Sequence, residues 1–132
     1  MVCGLMVGGM KINSYKDLEV WQISMSLVVD VYKITKQLPY SEQYGLSSQM
    51  QRCGVSIPSN IAEGSKRSSR ADFRQFCLIA LGSTAELETQ LLITQQLYPE
   101  VATQEAIGMN VRIQKMLTSL ANKLKQTKRT SP

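Results

Sequence analysis

The chain of 132 residues carries a net charge of +5 and no histidine, which excludes Ser-His-Asp triads, imidazole acid–base chemistry and His metal ligands together. Hydrophobic residues make up 43% of it but aromatic residues only 6%, so a single domain of this size needs an aliphatic core of the kind found in helical bundles. The basic balance, with a pI near 9.2, allows an acidic partner such as RNA without requiring one.

Cys3, Cys53 and Cys77 are scattered and lack CxxC spacing. They suit a reducing compartment, with Cys53 and Cys77 as small buried hydrophobes. No apolar run reaches the ~20 residues of a membrane span, and residues 1–10 lack the basic start of a signal peptide. A cytoplasmic protein with a disordered leader over 1–13 is expected.

Asp17 can N-cap a first helix that Pro39 stops after Leu38. Leu18, Trp21, Met25, Val28 and Tyr32 draw one apolar stripe along it, and Val20, Leu27, Val31, Ile34 and Leu38 draw a second. Two adjacent stripes imply either a wide core face or a helix that also meets another subunit, with the second stripe at that contact.

A second helix is expected over 45–63, with Leu46, Met50, Cys53, Ile57 and Ile61 as its seam. Pro58 falls inside it, removing a backbone bond at a cost of about 3 kcal/mol and predicting a bend. The carbonyl of Gly54 then needs another donor, and Gly64 sits where helices often end in a left-handed residue. Small residues around Pro58 should let the small-residue middle of the third helix, with Gly82 at its centre, come close.

That third helix is expected over 70–98. It opens with Ser69 and Asp72 in an approximate capping box and is stopped by Pro99. A fourth runs over about 102–126, its first half weakened by Gly108 and Asn110, and 127–132 form a frayed tail. The whole reads as an all-α, antiparallel up-down-up-down four-helix bundle over 14–126, with a Pro-bent second helix.

Lys66, Arg67, Arg70 and Arg74 are the candidate binding residues. Cations ordinarily favour a helix C-terminus; gathered before and within the first turns of a helix, beside its free N–H groups, they predict a phosphate site. The alternative is a solvated connector whose arginines pair with Glu63 or Asp72. Lys123, Lys125, Lys128 and Arg129 read as an ordinary solvated helix end. Glu63, Glu86 and Glu88 raise a di-iron reading, but that site needs Glu-x-x-His pairs, which this chain lacks. Glu86 is expected to point inward or to a subunit junction, bonded to Ser59, Asn60 or Gln49. No catalytic residue, metal or cofactor is expected.

The runs Asp17-Leu18-Glu19-Val20-Trp21-Gln22, Tyr44-Gly45-Leu46-Ser47-Ser48-Gln49-Met50 and Val55-Ser56-Ile57-Pro58-Ser59-Asn60-Ile61-Ala62-Glu63-Gly64 occur in order, followed by Ala80-Leu81-Gly82-Ser83-Thr84-Ala85-Glu86-Leu87-Glu88-Thr89-Gln90-Leu91. Together they resemble the four helix bundle protein family, first seen encoded in intervening sequences of bacterial large-subunit (23S) ribosomal RNA genes. The resemblance covers about 14–98; Cys53-Gly54 departs from the family's Arg-Ala-Ala type of run, and the fourth helix is similar only generically. It implies a bundle that assembles into a ring-like homopentamer without enzyme activity. A related group, the accessory variability proteins of diversity-generating retroelements, consists of basic pentamers that bind a reverse transcriptase and its RNA. The resulting expectation is a non-enzymatic oligomeric module, not membrane-bound, that binds RNA or a ribonucleoprotein through a basic surface. The alternative is a protein-interaction scaffold with no nucleic-acid role.

Overall fold

A computed structural model describes residues 14–125 in full and the backbone alone at 5–7 and 10–12. A short strand β1 (Leu5–Val7) pairs antiparallel with β2 (Met10–Ile12), Leu5 opposite Ile12. The rest of the expected leader, and the tail over 127–132, lie outside the described residues.

The bundle begins at Ser14, whose side chain accepts the Lys16 N–H and opens a 3-10 turn, Tyr15–Asp17. That turn takes up Asp17, so helix α1 (Glu19–Lys36) starts after Leu18 with no side-chain cap and the N-cap expected at Asp17 is displaced by one residue. Helix α2 (Leu46–Ser65) keeps Pro58 within an unbroken run. Helix α3 (Arg70–Leu97) and helix α4 (Gln104–Lys125) complete the domain.

Each helix packs on its neighbours in chain order, and α4 closes back onto α1. Pairs along each seam run in opposite directions. Glu42 meets Tyr98 and Ser56 meets Ser83, both at 2.6 Å, while Gly64 lies against Phe73 and Phe76. Arg70 reaches the Lys123 carbonyl, and Asn110 the Thr84 carbonyl. This is an all-α, up-down-up-down four-helix bundle.

Its core is aliphatic, as the composition requires. Leu27 and Val31, Ile57 and Ile61, Leu87 and Leu91, and Ile113 and Leu117 are fully buried, with Phe73 the largest side chain among them. Cys53 and Cys77 join this core. Burial pushes both thiols up to about 12, with the neighbouring Glu86 adding to the effect at Cys53, so neither offers a thiolate near neutrality. Asn110, read from sequence as a weak helix former, is also fully buried and donates to the Thr84 carbonyl at 2.9 Å. It ties α4 to α3.

Three expectations are corrected by this packing. The second stripe of α1 (Val20, Leu27, Val31, Ile34 and Leu38) is the one buried in the core, while Met25 and Tyr32 of the first stripe are exposed beside Val29. A helix held between two neighbours buries the face between them, so the second stripe is not available to another subunit. Gly82 points outward, and a Cβ added there would have nothing within 4 Å. The contact with α2 is made by the next residue, Ser83, about 100° further round the helix. Gly64 is no left-handed terminus, because α2 runs on to Ser65. A Cβ there would lie 2.6 Å from the Phe76 Cβ. Glycine is needed at 64 for the close approach of α3.

Side-chain donors flank Pro58 within the continuous helix. Ser56 Oγ donates to the Cys53 carbonyl at 2.8 Å, and Asn60 Nδ2 to the Ser56 carbonyl at 2.7 Å.

Candidate nucleic-acid interface

In an up-down bundle the start of α1, the end of α2, the start of α3 and the end of α4 share one end. This brings Lys66, Arg67, Arg70 and Arg74 together with Lys123 and Lys125, two clusters that lie some fifty residues apart in the chain. Lys16, in the turn before α1, belongs to the same end. Asp30, Glu42, Glu100 and Glu105 gather towards the other end. There Glu42 and Glu100 raise the Tyr98 phenol, first through its hydrogen bond to Glu42, and burial followed by the charge of Glu105 raises the Asp30 carboxyl against the opposing effect of Lys33. Asp17, Glu19, Glu63 and Asp72 at the first end and Lys33 and Lys36 at the second offset part of this, leaving the first end net positive and the second weakly negative.

The four predicted cations are not equivalent. Arg67 is exposed, pairs with Glu63 at 2.7 Å and lays its guanidinium over the Phe76 ring, 4.9 Å from its centroid. Lys66 is exposed and caps α2, its backbone N–H donating to the Glu63 carbonyl while that of Arg67 donates to Gly64. Arg70 and Arg74 reach across to α4, donating to the carbonyls of Lys123 at 2.6 Å and Ala121 at 3.1 Å. The last four carbonyls of a helix lack intrahelical donors and carry partial negative charge. Arg70, which looks misplaced at the start of α3, thus serves the last turn of its antiparallel neighbour, while Arg74 adds a bond to the Ala121 carbonyl further in. The pairing of Arg67 with Glu63 is the connector alternative that the sequence leaves open.

The N-terminus of α3 is itself partly occupied. Ser69 Oγ accepts the Asp72 N–H at 3.0 Å, the serine half of the expected capping box. Of the two places expected for Glu86, the interior is not the one it takes. It is exposed, and it accepts from Cys53 Sγ at 3.5 Å, with Asn60 engaged elsewhere. Among the described residues no three acidic or cysteine side chains converge as a metal site would require.

What the sequence concealed is the register between α3 and α4, which decides that Arg70 faces Lys123. The signal available was the antiparallel topology itself: once four helices are expected, the start of the third must lie near the end of the fourth.

A crystal structure of a protein of unknown function from the S23 ribosomal protein family of Bacteroides thetaiotaomicron is similar to this chain, with a TM-score of 0.72 and 29% identity over 81% of this chain and 98% of that one. No curated protein matches the chain. The family model for the 23S rRNA-intervening sequence protein matches residues 16–123, nearly the whole of the bundle just described, and the chain belongs to that family.

Proposed function

We propose that the chain is a non-enzymatic, self-associating helical module of the cytoplasm that engages RNA through the basic end of the bundle. The observation that carries the self-association is the outer face of α3. This helix is long and apolar enough to cross a membrane by length and composition, with a stretch of mean hydropathy 1.3, yet only 28% of that stretch is buried in the bundle. Its inner face forms core, while Ile79, Leu92, Ile93 and Leu97 are between 42% and 58% exposed. The exposed face is mixed, with Glu86 between Ile79 and Ile93, but half-exposed aliphatic side chains of this size on one helix mark an interface. A second copy is the natural cover, since most soluble oligomers are symmetric homo-oligomers. The pentamer implied by the family resemblance fits this reading. Light scattering coupled to size exclusion should give a multiple of 14.7 kDa, and Ile79→Glu with Ile93→Glu should return that single mass with helicity intact. A parent of 14.7 kDa at micromolar concentration overturns the assembly.

The RNA reading is supported by the convergence of two basic clusters at one end and, by analogy only, by the RNA-binding group to which the resembled family is related. Assembly would multiply that charge and the avidity with it. Lys66→Gln with Arg67→Gln removes the exposed pair among the four predicted cations and leaves the α4 contacts in place. The log–log salt slope for a generic single strand should fall by about 0.7 for each phosphate no longer neutralised. An unchanged slope overturns this site. The scaffold reading is favoured by one observation, the commitment of Arg70 and Arg74 to α4, and a parent that binds no RNA at low salt would establish it.

A further inference from the structure

On the α1–α2 side of the bundle, two depressions of about 420 and 430 Å³ share Tyr32 and Gln51 and form one continuous groove. It carries two aromatic side chains, Tyr32 at 44% and Tyr40 at 82% exposure. It also carries two cations, Lys36 and Arg52. No carboxylate lines either part. Glu42, on the same connector, is turned the other way, accepting from the Tyr98 hydroxyl at 2.6 Å and from the Leu46 N–H. Among the described residues neither Lys36 nor Arg52 has an ion-pair partner. Gln51 donates one N–H to Thr35 Oγ1 at 2.9 Å, which fixes the amide and leaves its carbonyl and second N–H for a ligand.

We propose that this groove binds a single-stranded RNA segment, at a site separate from the basic end. Three features support that occupant. Two tyrosines flanking a groove offer ring faces on which bases stack, an interaction that tolerates any base. Two cations outside any ion pair complement a phosphate backbone, Lys36 with no carboxylate in its part of the groove and Arg52 beside a depression that also holds Glu86. A held amide between them can read a base edge, as proteins do with unstacked RNA bases. Ser47 to Ser56, the α2 wall, is about 14 Å of helix, room for about four nucleotides at the ~3.4 Å rise of a stacked strand. α3, whose outer face is assigned to self-association, lies diagonally opposite α1 in the bundle, so covering it leaves the Tyr32, Lys36 and Tyr40 part of the groove open, while the Arg52 and Ser56 end borders α3.

The test separates this groove from the basic end by what each reads. Phosphate contacts need only charge, whereas stacking needs bases. Full-length protein is titrated with a labelled short oligouridine and with an abasic oligomer of the same length and charge. The parent should prefer oligouridine. Tyr40→Ala, at a position too exposed to affect folding, should lower that affinity about tenfold and leave the abasic oligomer's unchanged. Lys36→Gln with Arg52→Gln should weaken oligouridine further. A 4-thiouridine strand should crosslink to the peptides containing Tyr32 or Tyr40. Equal affinity for the two oligomers, parental affinity in Tyr40→Ala, or crosslinks confined to 66–74 would each overturn the groove. So would a Tyr40→Ala variant that loses assembly mass, for then a second copy occupies it. The Lys66, Arg67 experiment reads salt slope alone, so either site can fail without the other.

Discussion

At the scale of single residues, glycines carry the clearest consequences. Gly64 is confined by backbone-proximal atoms: a methyl would meet the Phe76 Cβ at 2.6 Å and Phe73 Cδ1 at 3.0 Å. Neither is the far end of a flexible chain, so Gly64→Ala should destabilise by about 1–3 kcal/mol through overpacking. Gly82 has open space around it, and a methyl at Gly54 meets only Val31 at an ordinary 3.8 Å. Alanine at either position should instead stabilise by about 0.5–1 kcal/mol, because helix interiors favour it. Urea melts of the three variants check the order; a Gly64→Ala protein as stable as the parent would remove the close α2–α3 approach. The thiols give a second test. Cys53 and Cys77 are raised from 9.0 to about 12 by burial. Below 9.0 both states hold the protons and the thiols do not affect pH dependence. Between 9.0 and about 12 the unfolded chain releases protons that the bundle retains, so stability falls as pH rises through that window. A Cys53→Ala, Cys77→Ala protein should show a shallower decline over the same range in pH-dependent melts.

Elements are held to one another by a few polar contacts laid over the apolar seam. Arg70 donates to the Lys123 carbonyl at 2.6 Å from the first turn of α3, so the end of α4 depends on a residue of its neighbour. Arg70→Met keeps the apolar stem and removes the donor. It should cost about 0.5–1.5 kcal/mol and speed amide exchange in the last turn of α4, with the first turns of α4 unchanged. If it lowers RNA affinity without changing that exchange, Arg70 acts on the ligand and its contact with α4 is incidental. Ser69 fixes the opposite partner of this junction. Its side chain takes the Asp72 N–H, and Ser69→Ala should cost about 1 kcal/mol, visible as a lower melting temperature with the helix count unchanged.

The whole molecule combines an aliphatic outer face on α3 with an axial separation of charge. The first favours association and the second decides what an assembly would present. If α3 faces are covered, the basic ends of several copies can act on one polyanion, and affinity should then depend on protein assembly as well as on salt. The Ile79→Glu, Ile93→Glu monomer should therefore bind a long RNA more weakly than the parent while a short oligomer distinguishes them little. Equal loss on both lengths would show that the substitutions act on the site itself.

The fold was largely readable because it rests on local rules. Proline at 39 and 99, the apolar spacing of α3 and the Ser69 cap act through the chain within a turn or two, so the sequence alone determined four helices, their approximate limits and an aliphatic core holding Cys53 and Cys77. Tertiary structure decided what depends on rotation and register. Which of two equally good stripes on α1 faces inward, whether Gly82 or Ser83 meets α2, and why glycine suits position 64 all depend on where a neighbouring helix lies. The candidate site divides the same way. A basic run at 66–74 is visible in the sequence, but its arginines look unpaired until α4 is placed beside them. A helix dipole acts over a turn along its own chain and equally on any neighbour it touches, and a sequence names only the first of those.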